Sequence, residues 1–111
     1  MKFYNRLYGI DDLAVRVTAS GALLRFSYRV VDANKAKMVN DKTLPPYLID
    51  ERTGTKLVVP MMEKVGTLRQ TSTPQNGREY WMVFSNKGVI QRGSRVDIVI
   101  GSFHVEGLVA E

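Results

Sequence analysis

The segment Leu13-Ala14-Val15-Arg16-Val17-Thr18-Ala19-Ser20-Gly21-Ala22-Leu23-Leu24-Arg25-Phe26-Ser27-Tyr28-Arg29-Val30 decides the fold. Leu13, Val15 and Val17 alternate with Ala14 and Arg16, and Leu24, Phe26, Tyr28 and Val30 alternate with Leu23, Arg25, Ser27 and Arg29. Alternation with period two marks strands that bury one face and wet the other. The short, Gly-containing stretch Ala19-Ser20-Gly21-Ala22 between them reads as a hairpin. A two-residue turn at Ser20-Gly21 sets Val17 opposite Leu24, Val15 opposite Phe26 and Leu13 opposite Tyr28. On the other face it sets Arg16 opposite Arg25 and Asp12 opposite Arg29. A slip of one residue would bury the arginines, so the register is strongly specified.

The C-terminal region follows the same logic. Val96, Ile98 and Ile100 alternate with Arg95, Asp97 and Val99, and Gly101-Ser102 supplies a turn with Gly first. The register then pairs Ile100 with Phe103, Ile98 with Val105 and Val96 with Gly107, leaving Val99 opposite His104 and Asp97 opposite Glu106. Between the two hairpins, Tyr47 to Asp50 follows the extended Leu44-Pro45-Pro46, and Lys56 to Val59 is joined to it by a Gly-containing loop. Tyr80 to Ser85 is almost wholly apolar and reads as a central strand covered on both sides. A weaker strand is expected near Thr67 to Arg69, and Asp32 to Val39 carries the single helical signal, with Asp32 as its cap.

About seven short strands with at most one short helix in a chain of 111 residues describe an all-β, immunoglobulin-like antiparallel β-sandwich. The competing architecture is a small oligonucleotide-binding barrel, which has five strands. Residues 1–10 read as an N-terminal extension and 11–111 as a single domain. The stretch Gly21 to Val30, Pro46 to Asp50, Gly77-Arg78-Glu79-Tyr80-Trp81 and Val99-Ile100-Gly101-Ser102-Phe103 together resemble small bacterial immunoglobulin-like domains of the cell envelope. That resemblance is one of fold; it implies an envelope address and brings no catalytic residues with it.

Composition narrows the function. Hydrophobic residues make up 44% and charged residues 24%, as in an ordinary globular chain. There is no Cys, which excludes disulfides, thiol catalysis and zinc ribbons. The formal charge is +5, yet no two Lys or Arg are adjacent, unlike the basic blocks of nucleic-acid arms, so nucleic acid is an unfavoured partner. No stretch is long and apolar enough for a membrane-spanning helix. The first residues do not read as a signal peptide. The address is therefore cytoplasmic, or periplasmic or envelope if a leader was removed.

Three groups of residues could carry a site. Asp97, His104 and Glu106 share the wet face of the last hairpin, where opposed carboxylates need a cation or a divalent ion. Arg16, Arg25 and Arg29 share a face of the first hairpin and could hold a polyanion. Gln70, Thr71, Ser72, Thr73, Gln75 and Asn76 belong to the longest stretch without a large apolar residue, an exposed loop at one end of the sandwich. With one His, no Cys and no nucleophile elbow, the chain is expected to be non-enzymatic and to need no cofactor. The leading expectation is a protein-interaction or structural module of the bacterial envelope, with an unknown protein partner and a weak homodimer through an edge strand as a further option. A small-ligand or metal-binding domain and a polyanion-binding module are the alternatives.

Overall fold

The first hairpin forms where the alternation places it. The computed structural model describes residues 7–62 and 66–111, and within them β1 (Ile10–Thr18) pairs antiparallel with β2 (Leu23–Val30). Val17 lies opposite Leu24, Arg16 opposite Arg25 and Val15 opposite Phe26, as the register argument requires. The turn is wider than two residues. Thr18 pairs with Leu23, and Ala19, Ser20 and Gly21 take φ of 52°, 57° and 94° in a single 3₁₀ turn. Because one residue from each strand joins the turn, the register is unchanged.

Further along, the register does shift. Asp12 and Leu13 together face one residue, and Asp12 takes φ 52°, which makes a β-bulge. Leu13 therefore does not sit squarely opposite Tyr28, and it is Asp11, not Asp12, that faces Arg29. The reason is burial. An unbroken register would turn Asp11 inward, whereas the bulge turns Ile10 inward, where it is fully buried.

A second bulge corrects the last hairpin in the same way. β8 (Arg95–Ile100) and β9 (Phe103–Val109) pair Ile100 with Phe103, Val99 with His104 and Ile98 with Val105. Then Val96 meets Leu108 in place of Gly107, which takes φ 73° as the extra residue. The core gains a leucine across from Val96 where a straight ladder would offer a glycine without a side chain.

Two antiparallel sheets stack. β1, β2 and β7 (Glu79–Ser85) form a three-stranded sheet in that order. The four-stranded sheet runs β4 (Lys56–Val58), β3 (Pro46–Asp50), β8, β9. The molecule is an all-β sandwich of the immunoglobulin-like kind, with the fourth strand beside the third and not on the first sheet. A small separate hairpin pairs β5 (Met61–Met62) with β6 (Gly66–Thr67). Inward-facing Leu24, Phe26, Tyr28, Tyr80, Met82 and Phe84 of one sheet meet Leu48, Val96, Ile98, Ile100, Phe103 and Val105 of the other. Phe26, Tyr28 and Tyr80 form an aromatic row with centroids 5.3 and 6.0 Å apart. Burying each large apolar side chain of this kind contributes about 1.5–3 kcal/mol by area.

Three expectations change. β7 is not a central strand covered on both faces. It is the outer strand of its sheet, with Tyr80, Met82 and Phe84 buried and Trp81 and Val83 half-buried. Its open side is covered by residues 68–70: the Val83 amide donates to the Leu68 carbonyl at 2.7 Å and the Gln70 amide to the Trp81 carbonyl at 3.1 Å. The Gln70 side chain then accepts from the Trp81 amide at 3.0 Å, standing in for a missing strand carbonyl. The helical signal yields only a 3₁₀ segment, Lys35–Met38, begun by Asp32 Oδ1 accepting from the Asn34 and Lys35 amides. Finally, the packed part of the chain starts before residue 11, since Tyr8 stands edge-on against Phe103 and Ile10 is in the core. Positions 1–6 of the expected extension lie outside the described residues.

The Gly9 turn holds the start of β1 to the end of β2. The Val31 and Asp32 amides both donate to its carbonyl, its φ is 67°, and a Cβ there would collide with the Asp32 carbonyl. At one end of the sandwich lie the turns 19–22 and 51–55 and the loop 86–94, here called the hairpin end. At the other lie the sheet-to-sheet connection 31–45 and the loop 70–78, the crossover end. No helix among the described residues is long and apolar enough to cross a membrane.

Candidate functional site

Asp97, His104 and Glu106 do come together. One donor atom from each lies within 4.8 Å of the others, and His104 Nε2 is 3.6 Å from a Glu106 oxygen. The bulge changes how the charges meet. Asp97 faces Glu106 and Gly107 jointly, and its Oδ1 accepts from the Gly107 amide at 3.1 Å. That amide relieves part of the carboxylate repulsion that the straight register implied. Arg95, which shares the face, turns to Glu51 at 3.4 Å. The trio offers one nitrogen and two carboxylates on an open sheet surface, a half-shell whose remaining positions are solvent.

The three arginines separate into two situations. Arg29 is neutralised: its Nε and Nη2 reach the two oxygens of Asp11 at 2.9 and 2.7 Å, and Asp12 lies at 3.6 Å. The hydrogen bonds from Arg29 hold the Asp11 carboxyl below its ordinary range. Arg16 and Arg25 stay side by side, with Glu111 reaching only Arg16, at 3.9 Å, and with the Arg25 guanidinium 5.6 Å above the Trp81 ring. The expected patch of three is thus a pair.

The loop is the most altered of the three expectations. Ser72, Thr73, Gln75 and Asn76 are exposed, Gln70 and Thr71 are half-buried, and Pro74 between them is buried. The segment is pinned along its length. Asn76 Oδ1 accepts from the Ala33 amide at 2.7 Å, and the Gly77 amide donates to the Val30 carbonyl at 2.7 Å. The Tyr80 hydroxyl donates to the Thr73 carbonyl at 3.4 Å and accepts from the Gln75 amide at 3.0 Å. Asn40, only 3% exposed, donates to the Ser72 carbonyl at 2.9 Å and accepts from the Tyr28 hydroxyl. Arg69 completes the stitching: its two terminal nitrogens donate to the carbonyls of Leu44 and Val39 at 2.8 and 2.9 Å.

Burial sets the electrostatics beneath this loop. It pushes the Tyr28 hydroxyl well above the ordinary tyrosine range, with the positive charge of Arg69 offsetting part of the rise. Tyr28 is therefore a permanent neutral donor. Arg69 is itself lowered by desolvation and, among the described residues, its buried Nε has no acceptor. A polar group left unpaired in the interior costs about 1–3 kcal/mol, so this network is held at some expense to stability.

Above it opens a cleft of about 560 Å³ between two walls. Lys37, Asn40, Asp41 and Lys42 form one wall, and Thr71, Ser72, Thr73 and Pro74 the other. Asp41 Oδ1 accepts from the amide and hydroxyl of Thr43 at 2.8 and 2.7 Å, and these bonds keep the carboxyl below its ordinary range. Among the described residues neither Lys37 nor Lys42 has a carboxylate within 4.0 Å. The cleft thus presents two free cations, one fixed anion, three hydroxyls and a buried carboxamide.

Sequence reading found the loop but missed Asn40, Arg69 and the cleft's second wall. A signal was available in Tyr28 and Tyr80. A tyrosine in place of phenylalanine at a core position brings a hydroxyl that needs a partner, and both hydroxyls sit where polar groups converge. Comparisons with protein-family models, with curated proteins and with solved structures find no match.

Proposed function

We propose that this chain is a non-enzymatic binding domain that holds an acidic segment of a partner protein in the cleft at the crossover end. The observation that supports it is Asn40: a nearly fully buried side chain that joins the two walls, one bond running to the core and one to the loop. Interior polar groups weaken a sandwich unless they are fully paired, and here the bonds go into fixing two surface walls at a set separation. Pre-organisation of this kind removes the ordering cost of binding.

The chemistry of the walls favours an acidic peptide. Lys37 and Lys42 suit a partner carboxylate, while the hydroxyls of Thr71, Ser72 and Thr73 suit its main chain. The ionised Asp41 between the lysines interrupts any continuous basic track, which disfavours nucleic acid. Among the described residues the single His lies on the outer face of the four-stranded sheet, away from every hydroxyl of the cleft.

The test is fluorescence anisotropy of a labelled peptide of alternating Glu and Gly, with a Lys–Gly peptide as the control. Saturable binding to the Glu peptide is expected, weakened at least tenfold by the double change Lys37→Glu, Lys42→Glu with thermal stability retained. Equal binding of both peptides, or of wild type and the double variant, would contradict the proposal.

A further inference from the structure

A second site lies on the other side of the molecule and rests on different residues. Like charges directly opposite across a sheet destabilise it. Yet Arg16 and Arg25 are direct cross-strand neighbours, and among the described residues the one carboxylate within 4.0 Å of either is Glu111, at 3.9 Å from Arg16. Beside them on the outer face of the three-stranded sheet is a groove of about 400 Å³. Its floor is the cross-strand pair Ala14 and Ser27, short side chains among the longer Arg16, Arg25, Asp12 and Glu79 that line the same groove. Trp81 is the cross-strand neighbour of Ser27, and its ring carries the Arg25 guanidinium. That contact gives Arg25 a fixed plane.

We infer that Arg16 and Arg25 form a site for a phosphate monoester. Two guanidinium forks present paired donors to tetrahedral oxygens, and Ser27 adds a hydroxyl at the groove floor. A dianion balances both arginines, whereas a single carboxylate balances one. A long polyanion is excluded by its surroundings: Asp12 and Glu79 line the far part of the same groove, and Asp11 lies next to it on β1. These carboxylates repel a chain of phosphates and tolerate a single terminal one. The phosphate can stand on a soluble ester or on a lipid headgroup, and the same two arginines would hold either.

Trp81 is the only tryptophan in the chain, so its fluorescence reports on this site alone. The intact protein is titrated with inorganic phosphate at constant ionic strength, with acetate as the reference anion. A saturable change with a midpoint on the order of millimolar is expected for phosphate and not for acetate. Arg16→Gln, which leaves the Arg25–Trp81 contact in place, should raise the midpoint at least fivefold, and Arg92→Gln at the hairpin end should leave it unchanged. A second arm compares vesicles containing phosphatidic acid with vesicles containing phosphatidylserine at equal charge. A preference for phosphatidic acid that inorganic phosphate competes away puts the phosphate on a lipid. No vesicle retention beside a saturable phosphate response assigns a soluble ester. A response that never saturates, that acetate reproduces, or that Arg16→Gln leaves intact would overturn the site.

Discussion

The two ends of the sandwich are held together differently. At the hairpin end the side-chain bonds of the loops are mainly local, with Asn86 to Gly21 and Arg95 to Glu51 as long-range exceptions. Asp50 accepts from the Arg52 amide and the Thr53 hydroxyl, two and three residues on, at 3.3 and 2.7 Å. Asn86 exchanges two hydrogen bonds with Ile90, four residues on, and adds one to the Gly21 carbonyl. At the crossover end the stitches are long-range: Asn40 to Ser72, Arg69 to Val39 and Leu44, Ala33 to Asn76. Local turns need only their own residues to form, whereas long-range stitches need the whole fold in place. The hairpin end is therefore finished mainly by its turns, and the crossover end is a surface that the fold assembles.

The largest effect expected from breaking this contrast is at Arg69. Arg69→Met removes two charge-assisted bonds and strands two carbonyls, at a cost of about 3 kcal/mol in urea denaturation. Amide exchange should accelerate in both 39–44 and 71–73, distant in sequence, and acceleration in only one of them would mean that the walls are not coupled. Asn86→Ala comes next, at about 2–3 kcal/mol, since it removes three uncharged bonds from a buried position. Its exchange effect should stay within 19–22 and 86–91 and leave peptide binding untouched. Tyr80→Phe is smaller, about 1 kcal/mol, with loosening limited to residues 73–75.

The smallest effect belongs to Asp11 and sharpens a different point, that a bulge chose Arg29's partner. The folded-state pKa of Asp11 lies below the ordinary 3.8, so its stabilising contribution is present above that pH and is lost as pH falls through the folded value. Asp11→Asn should lower the melting temperature slightly at pH 7 and not at pH 2. The same change at Asp12 should do less, because Asp12 makes the longer contact. A larger effect at Asp12 would restore the straight register.

What the sequence discloses follows the same division. Both hairpins, their inward faces and the pairs nearest each turn are legible, because alternation and turn residues act over a few positions. Both registers fail farther from the turn, at Asp12 and Gly107, where burying Ile10 and Leu108 outweighs ladder continuity. Strand order is legible in part. Tyr80 to Ser85 looks central by hydrophobicity, yet its outer face is occupied by Trp81 under Arg25, and its open edge by Gln70. The loop 70–76 is visible as a polar stretch, but its pinned state is not, since Asn40 lies 32 residues before Ser72 and no local pattern joins them.

The pre-built cleft at the crossover end is tested most directly by amide-resolved NMR of the whole chain titrated with the alternating Glu–Gly peptide. Chemical-shift changes confined to residues 37–42 and 71–74, with the hairpin-end amides of 51–55 and 86–94 unmoved, are the expected result. Changes centred on the hairpin end, or amides of 71–73 that already exchange as freely as an unstructured loop before peptide is added, would contradict it.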